Sequence, residues 1–312
     1  MHDTEIRPTV VPASVQASPL SDNVVATSSD RQLFNTRLYD CLAMLELEHG
    51  FRVVDVHARL EPAESRRPRE GIGNPERLER EMHQAGVVRA VVSPDDREQG
   101  YLKANNAVAR MSVGRPLVAF ARVNGARDPG EGAGSRLKNI ATSRRDFHTS
   151  PEDIEQYAYD DRFVGFKLHP VEDGLPDDDV LDRLADVGKP ILVHGGSGFP
   201  PEAVERRFLQ YDLPVILGHF GAYPLQREMM ETSIDLLEQY DRCYLDTSAV
   251  RYRDPLERAI IEHPDRVLFG SGAPGVHPNV AIMEILTLDV PEDAMKKVFS
   301  NNPVRVVEEL AP

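Results

Sequence analysis

The amino-acid sequence predicts an α/β fold, specifically a (β/α)8 TIM barrel. Short runs rich in β-branched residues alternate with helical patterns from residue 51 onward, which is typical of parallel sheets with crossover helices. Eight such runs occur in the roughly 260 residues that follow, and about 250 residues is typical of this barrel. A doubly wound sheet is the alternative, because a count of elements does not show whether the sheet closes.

The segment before the barrel divides into two parts. Residues 1–30 are rich in Ser, Thr, Pro, Val and Ala without a helical or strand period, and we expect them to be disordered. Residues 31–50 carry apolar side chains at three- and four-residue steps and end at Gly50, as helices often do. The sequence therefore predicts an N-terminal helix that packs on one domain comprising residues 51–312.

The elements of that domain follow from the hydrophobic pattern. The apolar runs that predict strands begin near Phe51, Val87, Pro116, Phe163, Pro190, Leu213, Arg242 and Arg266. Helical patterns between them cover residues 74–84, 101–111, 180–187, 201–209, 225–239 and 255–262. The connection between residues 124 and 161 is long and rich in Gly and Arg. It is predicted to be either a mobile loop over the site or an insertion.

The charge composition excludes some partners. The 312 residues include 36 Lys and Arg against 51 Asp and Glu, for a net charge of −15. Such an acidic protein repels phosphate backbones, so we expect no nucleic-acid partner. Only six of the cations are lysines. Either a high-salt cytoplasm or a GC-rich genome with an acidic bias would explain this composition.

Cysteine content and hydropathy indicate where the protein resides. Cys41 and Cys243 are the two cysteines, too few for a disulfide framework in a chain of this length. The N-terminus has no apolar stretch typical of a signal peptide, and no run of 18 apolar residues occurs. We therefore expect a soluble cytoplasmic protein without membrane contact.

Polar side chains at the strand ends predict the site. In such a barrel the reactive residues come from the carboxyl ends of the strands. Alternation along the first strand places Asp55, His57 and Arg59 on one face, opposite the intervening apolar residues. The polar residues that end later strands are Lys167, His169, His194, His219 and Asp246. Imidazoles that converge from separate strands can hold zinc or a similar divalent ion with an open position for water.

These strand ends also resemble a known family. Residues 53–59, 165–170, 192–194, 217–219, 245–248, 268–274 and 300–303 are similar, in order, to the motifs of the amidohydrolase superfamily. The similarity is to its amidohydrolase-related group of metal-dependent hydrolases and decarboxylases. It extends from residue 51 to the C-terminus and implies a barrel enzyme with a small-molecule substrate.

The resemblance assigns roles to individual residues. His57 matches the first-strand metal ligand, and His194 matches the strand-five ligand. His219 matches a residue that is either a ligand or an acid and base. Lys167 stands near the position of a carboxylated bridging lysine in some two-metal members, or else it binds a substrate anion. Apart from the resemblance, the position of Asp55 deep on the first strand predicts a buried hydrogen-bond anchor.

Two positions depart from the family pattern. Arg59 replaces the second histidine of the first-strand motif, and Gly272 replaces the strand-eight aspartate. Together they shift the charge of the site by two units, from −1 to +1, and favour anions. A guanidinium about 6 Å from a divalent ion would repel it by roughly 5 kcal/mol at an effective dielectric constant of about 20.

Two hypotheses follow for the function. The first is a metal-dependent hydrolase or decarboxylase of a small carboxylate-bearing substrate, with a divalent ion, preferably zinc, held by His57, His194 and His219. Arg59 and Lys167 would bind the substrate anion, and the residues predicted to transfer protons are His219, His169 and Asp246. The second is a metal-free or non-catalytic member whose cationic pocket binds an anionic metabolite. Homo-oligomers are common among such barrels, although no sequence feature identifies an interface.

Overall fold

The fold is an eight-stranded parallel barrel. A computed structural model describes residues 49–61, 73–95 and 100–312, so the predicted lead-in and nearly all of the predicted N-terminal helix lie outside the described residues. The domain boundary near residue 50 stays a prediction. The strands are β1 (Val53–Leu60), β2 (Val87–Pro94), β3 (Leu117–Arg122), β4 (Phe163–Leu168), β5 (Ile191–Gly196), β6 (Val215–Tyr223), β7 (Cys243–Asp246) and β8 (Val267–Leu268).

Every strand pairs in parallel with its neighbour in the sequence, in the order β1 to β8. Backbone bonds then join β1 to the segment that follows β8. The amide of Val56 donates to the carbonyl of Phe269 at 2.9 Å, and that of Arg59 donates to the carbonyl of Ala273 at 2.8 Å. The predicted barrel is therefore confirmed, and the doubly wound alternative is wrong because the sheet closes on itself.

The strands form where the sequence has aliphatic and β-branched runs, and most of their residues are buried. The helices of the described chain are Pro75–Gln84, Tyr101–Ser112, Ala133–Ala141, Pro151–Tyr159, Pro170–Asp173, Asp178–Val187, Pro201–Arg207, Arg227–Gln239, Arg253–Glu262, Pro278–Leu286, Glu292–Lys296 and Asn302–Val306. A π-helical turn covers Lys297–Asn301, and a 3-10 turn covers Glu308–Leu310. The six predicted helices are present with ends displaced by a few residues.

The long connection after β3 differs from the first expectation. It contains the helices Ala133–Ala141 and Pro151–Tyr159 and is therefore an insertion with its own secondary structure. Ser150 begins the second of these helices with a capping box, in which Asp153 bonds back to the Ser150 amide.

The apolar side chains form an inner and an outer cluster. The inner one fills the barrel and contains Val54, Val56, Val91, Phe120, Val164, Leu192, Ile216, Leu268, Val307 and Leu310. The outer one lies between the strands and the surrounding helices. Residues 307–310 cover the amino end of the barrel, where Nη2 of Arg52 donates to the carbonyl of Leu310 at 2.8 Å. The carboxyl ends of the strands are left for the site.

The register of β1 against β2 shifts between Asp55 and Ala58. Val56 packs in the inner cluster, whereas Ala58 packs in the outer one. Alternation is therefore interrupted, and the predicted common face of Asp55, His57 and Arg59 is wrong. The irregularity turns His57 and Arg59 toward the carboxyl end of the barrel and leaves Asp55 in the wall.

In the described part of the chain, every helix is too short or too polar to cross a bilayer.

Candidate active site

The carboxyl ends of the strands surround one small cavity, here called the rim cavity, with a volume of about 200 Å³. Its lining residues are His57, Arg59, Pro94, Asp95, Arg122, Lys167, His169, Glu172, His194, His219 and Tyr223. Six of the seven side chains predicted for the site line it. The seventh, Asp246, lies directly behind His57. Strand ends that are far apart in sequence therefore meet as predicted.

A hydrogen-bonded chain of three side chains forms the floor of the cavity. Oδ2 of Asp246 lies 2.8 Å from Nδ1 of His57, and Nε2 of His57 lies 2.6 Å from Nζ of Lys167. A carboxylate is an acceptor, so we assign the histidine tautomer in which Nδ1 donates to Asp246 and Nε2 accepts from Lys167. All three side chains are almost completely buried.

Ser248 connects this chain to a second histidine. Its Oγ lies 3.0 Å from Nδ1 of His57 and 2.9 Å from Nδ1 of His219, and it donates to Oδ1 of Asp246. The amides of Ser248 and His219 donate to the same carboxylate oxygen at 2.8 and 3.3 Å. His219 is held with φ 57°, in the left-handed region that costs a non-glycine residue about 1–2 kcal/mol. The Ser248 contacts hold it there.

Burial and like charges lower the pKa of Lys167 and of His57. Desolvation is the larger cause for both. It lowers the Lys167 pKa to about 7, with further repulsion from Arg59 and Arg122. The His57 pKa lies well below its ordinary value because of burial and then the repulsion of Lys167 and Arg59. Since each group repels the other's charge, the pair favours one proton over two.

The remaining histidines stack along the opposite wall. His169 and His194 have ring centroids 3.9 Å apart, and His194 and His219 have centroids 4.5 Å apart. Burial lowers the pKa of His219 to about 3, and burial with neighbouring imidazoles lowers that of His194 far below its ordinary value. The His169 pKa is also lowered, mainly by burial. These rings are therefore neutral at neutral pH.

Asp55 holds the backbone around the site. Its Oδ1 accepts from the amides of His57 and Ser271 at 2.8 and 3.0 Å, and Oδ2 accepts from the Ser271 hydroxyl. This is the anchoring role predicted for it. Burial raises its pKa to about 6 despite these hydrogen bonds.

The two arginines of the rim cavity differ in how many of their N–H donors are available to bind a ligand. Nη1 of Arg59 donates to Asp95 at 2.9 Å, and about a third of the Arg59 side chain is exposed. Arg122 uses all five N–H donors on Asp173, Glu172 and the carbonyls of Pro94 and Asp95. Arg122 therefore builds the wall, whereas Arg59 is placed at its opening.

Sequence reasoning missed Arg122, Ser248 and Tyr223. Arg122 is the last residue of β3, so its position at a strand end marks it in the same way as the other site residues. Ser248 follows Asp246 by two residues, which is the spacing of side chains on one face of an extended segment. Tyr223 ends β6, and its ring centroid lies 5.1 Å from those of His194 and His219.

The donor set does not fit a divalent ion. In the described chain, His57, His219 and Asp246 offer ligand atoms within 4.8 Å of one another, and His194 is outside this group. Both ring nitrogens of His57 are already hydrogen-bonded, and the Ser248 hydroxyl lies between the two imidazoles. An ion bonded to imidazole at about 2.0–2.1 Å would have to displace one of these groups beside a lysine and a guanidinium.

Two glycines after β8 shape the site. A Cβ at Gly270 would lie 3.0 Å from both Oδ1 of Asp246 and Cβ of His57, so only glycine fits there without displacement. Gly272 has φ +73°, and a Cβ there would lie 3.5 Å from that of Ser248. The position of the missing aspartate thus faces Ser248.

Comparisons with known proteins agree with this architecture. A model of the amidohydrolase family matches residues 54–308. The search of curated proteins returned no match. One similar solved structure is an uncharacterized TIM-barrel protein from Bordetella bronchiseptica, with 19% identity and a TM-score of 0.60 over 84% of this chain and 100% of that one.

Two enzymes are similar as well. A dihydroxybenzoic acid decarboxylase from a Polaromonas species, with bound manganese and the inhibitor 2-nitroresorcinol, has 16% identity and a TM-score of 0.56, covering 84% and 100% of the two chains. A probable 2-pyrone-4,6-dicarboxylic acid hydrolase from Acinetobacter baumannii, with citric acid bound, has 13% identity and a TM-score of 0.54, covering 83% and 100%. At these identities the structural likeness shows the shared fold. Because the family model spans most of the sequence, the chain belongs to the amidohydrolase family.

Proposed function

We propose that this chain is an enzyme that binds a small carboxylate-bearing substrate in the rim cavity and hydrolyses or decarboxylates it. The observation that carries the proposal is Lys167, a lysine only 6% exposed that lines a cavity also entered by Arg59. Burying a protonated lysine costs free energy, and the neutral imidazole of His57 that bonds its amine does not compensate the charge. A substrate carboxylate would compensate it and would favour the protonated lysine.

The charges around the cavity support an anionic ligand. With Lys167 protonated, the lining residues comprise three cations and two carboxylates. One of the cations, Arg122, is saturated by its own hydrogen bonds. Arg59 and Lys167 therefore carry the attraction for a substrate anion, and the small volume favours a compact one.

Other residues are placed to move protons. His57 is oriented by Asp246 and bonds Lys167, so a proton can pass along this chain. His219 and His169 line the cavity as neutral rings, so each can accept a hydrogen bond from a substrate or a water. Because the donor set does not fit a divalent ion, we assign no step to a metal, and the predicted zinc site stays a prediction tested below.

Two of the similar solved structures support a carboxylate ligand. One is a decarboxylase of an aromatic acid, and the other is a probable dicarboxylic acid hydrolase whose structure contains citric acid. A second candidate function, binding of an anionic metabolite without turnover, is favoured by Gly272, which leaves the site without the family's strand-eight carboxylate. Product formation separates the two candidates.

Ligand-induced thermal stabilisation tests the binding. Citrate, benzoate and dihydroxybenzoates are added to the metal-free protein, and the same panel is assayed for release of carbon dioxide and for hydrolysis. A ligand at about 100 times its Kd stabilises the folded state by about 2.7 kcal/mol. We expect at least one acid to raise Tm, and the Arg59→Gln, Lys167→Met double variant to lose that shift. Lys138→Met, at an exposed ion pair with Asp128, is the matched control that keeps it. A panel without any shift, or shifts unchanged in the double variant, would contradict the proposal.

A further inference from the structure

We infer that Lys167 is an amine nucleophile that forms an imine with the carbonyl group of a small oxo acid in the rim cavity. This inference rests on the proposed function, since the oxo acid is the carboxylate-bearing substrate of the same site. It assigns to this chain covalent chemistry that requires no metal ion.

The first argument is the geometry of the Asp246–His57–Lys167 chain. An activated nucleophile is recognised by a base within hydrogen-bond reach and by a third group that orients the base. Here the base, Nε2 of His57, lies 2.6 Å from Nζ of Lys167, and the orienting carboxylate lies 2.8 Å from Nδ1 of the same ring.

The orienting carboxylate is itself held in place. Oδ1 of Asp246 accepts the backbone amide of Ser248 at 2.8 Å and the Ser248 hydroxyl, so Oδ2 is left for His57. The carboxylate from β7 thus orients the imidazole from β1, and this imidazole contacts the amine from β4. A lysine with only a packing role would not require an oriented base beside its amine.

The second argument is the surroundings of the amine. In the described part of the chain, Lys167 has no ion pair with a carboxylate, while Arg59 and Arg122 line the same cavity. The amine is hydrogen-bonded to Nε2 of His57 and lines the cavity in which a carbonyl group would be bound. Lys189 offers a contrast, because its Nζ donates to the carbonyls of Ala158 and Phe163 at 3.0 and 2.7 Å.

The proposed step balances without an oxidant or a reductant. A proton of the Lys167 ammonium passes to Nε2 of His57, and the lone pair left on the nitrogen forms a C–N bond to the carbonyl carbon while the π pair of the carbonyl moves to oxygen. His57 gives its proton to that oxygen and takes one from the nitrogen, which yields a carbinolamine. The hydroxyl then leaves as water with the proton that His57 returns, and a C=N bond forms. The net change is a protonated amine and a carbonyl giving a protonated imine and water.

The third argument is where the acid group would lie. Arg59 enters the cavity from the end of β1, two residues beyond His57, and is partly exposed. A guanidinium there can bind the carboxylate of a substrate whose carbonyl carbon lies at Nζ of Lys167. The substrate class is therefore a compact acid with a carbonyl group near its carboxylate.

Reductive trapping with pyruvate tests the inference. The full chain is incubated with pyruvate and sodium cyanoborohydride, whose hydride converts an imine to a stable secondary amine. The adduct is located by mass spectrometry of proteolytic peptides. We expect the modification on Lys167 at a pyruvate concentration that leaves Lys138 and Lys189 unmodified. Modification distributed over exposed lysines without enrichment at Lys167 would overturn the inference, and this readout needs no variant.

Variants then assign the roles. Lys167→Met should abolish the adduct, and Lys189→Arg is the matched control that should retain it. His57→Gln, which keeps a polar side chain, should slow adduct formation tenfold or more and change its pH profile, as expected of a positioning base. Unchanged rate and pH profile in His57→Gln would contradict the role of the chain.

Lactate, which has the carboxylate but no carbonyl group, separates this inference from the proposed function. If lactate stabilises the protein and no pyruvate adduct forms, the proposed carboxylate site is supported and only the inference of an imine at Lys167 is overturned. Failure of both lactate and the carboxylate panel to stabilise the protein would instead count against the proposed function.

Discussion

Arg122 and Asp173 form a buried two-bond ion pair in the wall of the rim cavity, with Nε–Oδ2 and Nη2–Oδ1 distances of 2.9 and 3.0 Å. The same carboxylate accepts the Tyr101 hydroxyl at 2.7 Å and the amide of His169 at 3.0 Å. This ion pair therefore fixes the start of the loop that carries His169. It also explains why Arg122, although cationic and in the cavity, is unsuited to bind a ligand.

Removal of this buried charge should be costly. We expect Asp173→Asn to lower the free energy of unfolding by about 3–5 kcal/mol, because the Arg122 guanidinium is left buried without its partner. Glu172→Gln is the matched control, since Glu172 bonds the same arginine with a side chain that is 45% exposed. It should cost less than about 1 kcal/mol. Urea denaturation of both variants measures the difference, and equal losses would contradict the structural role of the pair.

The lowered pKa of His219 predicts an acid-sensitive fold. Its pKa is about 3 in the folded state because of burial and then the repulsion of His57, whereas an unfolded histidine protonates near pH 6.5. The unfolded chain thus binds more protons between these values, and stability falls as pH falls from 6.5 toward 3. We expect the Tm difference between wild type and His219→Gln to be constant above pH 7 and to decrease on going to pH 5. A Tm difference that does not change with pH would contradict the lowered pKa of His219.

Metal analysis tests the fit of the donor set. We expect protein purified without added metal to hold substoichiometric zinc and manganese, and neither ion to raise its Tm. The Arg59→His, Gly272→Asp double variant restores two ligands and removes one repulsive cation, so it should bind zinc and gain stability. A stoichiometric ion in the natural protein would instead support the ligand set of His57, His194 and His219 predicted from sequence.

Gly270 lies so close to Asp246 and His57 that a larger residue at this position should destabilise the fold. Gly270→Ala places a methyl group 3.0 Å from Asp246 and from His57, and we expect a loss of about 1–3 kcal/mol in stability. The pyruvate adduct should also form more slowly, because the carboxylate that orients His57 must move. Gly134→Ala, where nothing lies within 4 Å, should change stability by less than about 1 kcal/mol. Chemical denaturation and the trapping assay report on the two effects separately.

The barrel and most residues that line the rim cavity could be predicted from the sequence, because both follow from the positions of the apolar strands and of their carboxyl ends. Buried parallel strands require long apolar runs, and the closure of the sheet brings their carboxyl ends together whatever the details of packing. His57, Lys167, His194 and His219 could therefore be placed in one cavity from strand ends alone.

Other features depend on interactions that a linear pattern does not contain. The shift of register in β1 arises from pairing with β2, so alternation along one strand could not reveal it. The helix Ala133–Ala141 buries none of its residues and has no side-chain cap, so neither a capping residue nor a core-facing side marks it in the sequence. The hydrogen bond between His57 and Lys167 depends on side-chain conformation, which spacing does not determine.

The segment that covers the amino end of the barrel has a consequence for the order of folding. Val307 and Leu310 complete the inner cluster, to which Val54 and Val56 of the first strand also belong. These contacts join residues that are far apart in the sequence, and such contacts form slowly because a long loop must close first. We therefore expect the inner cluster to exclude water only late in folding, when residues 307–310 pack against it.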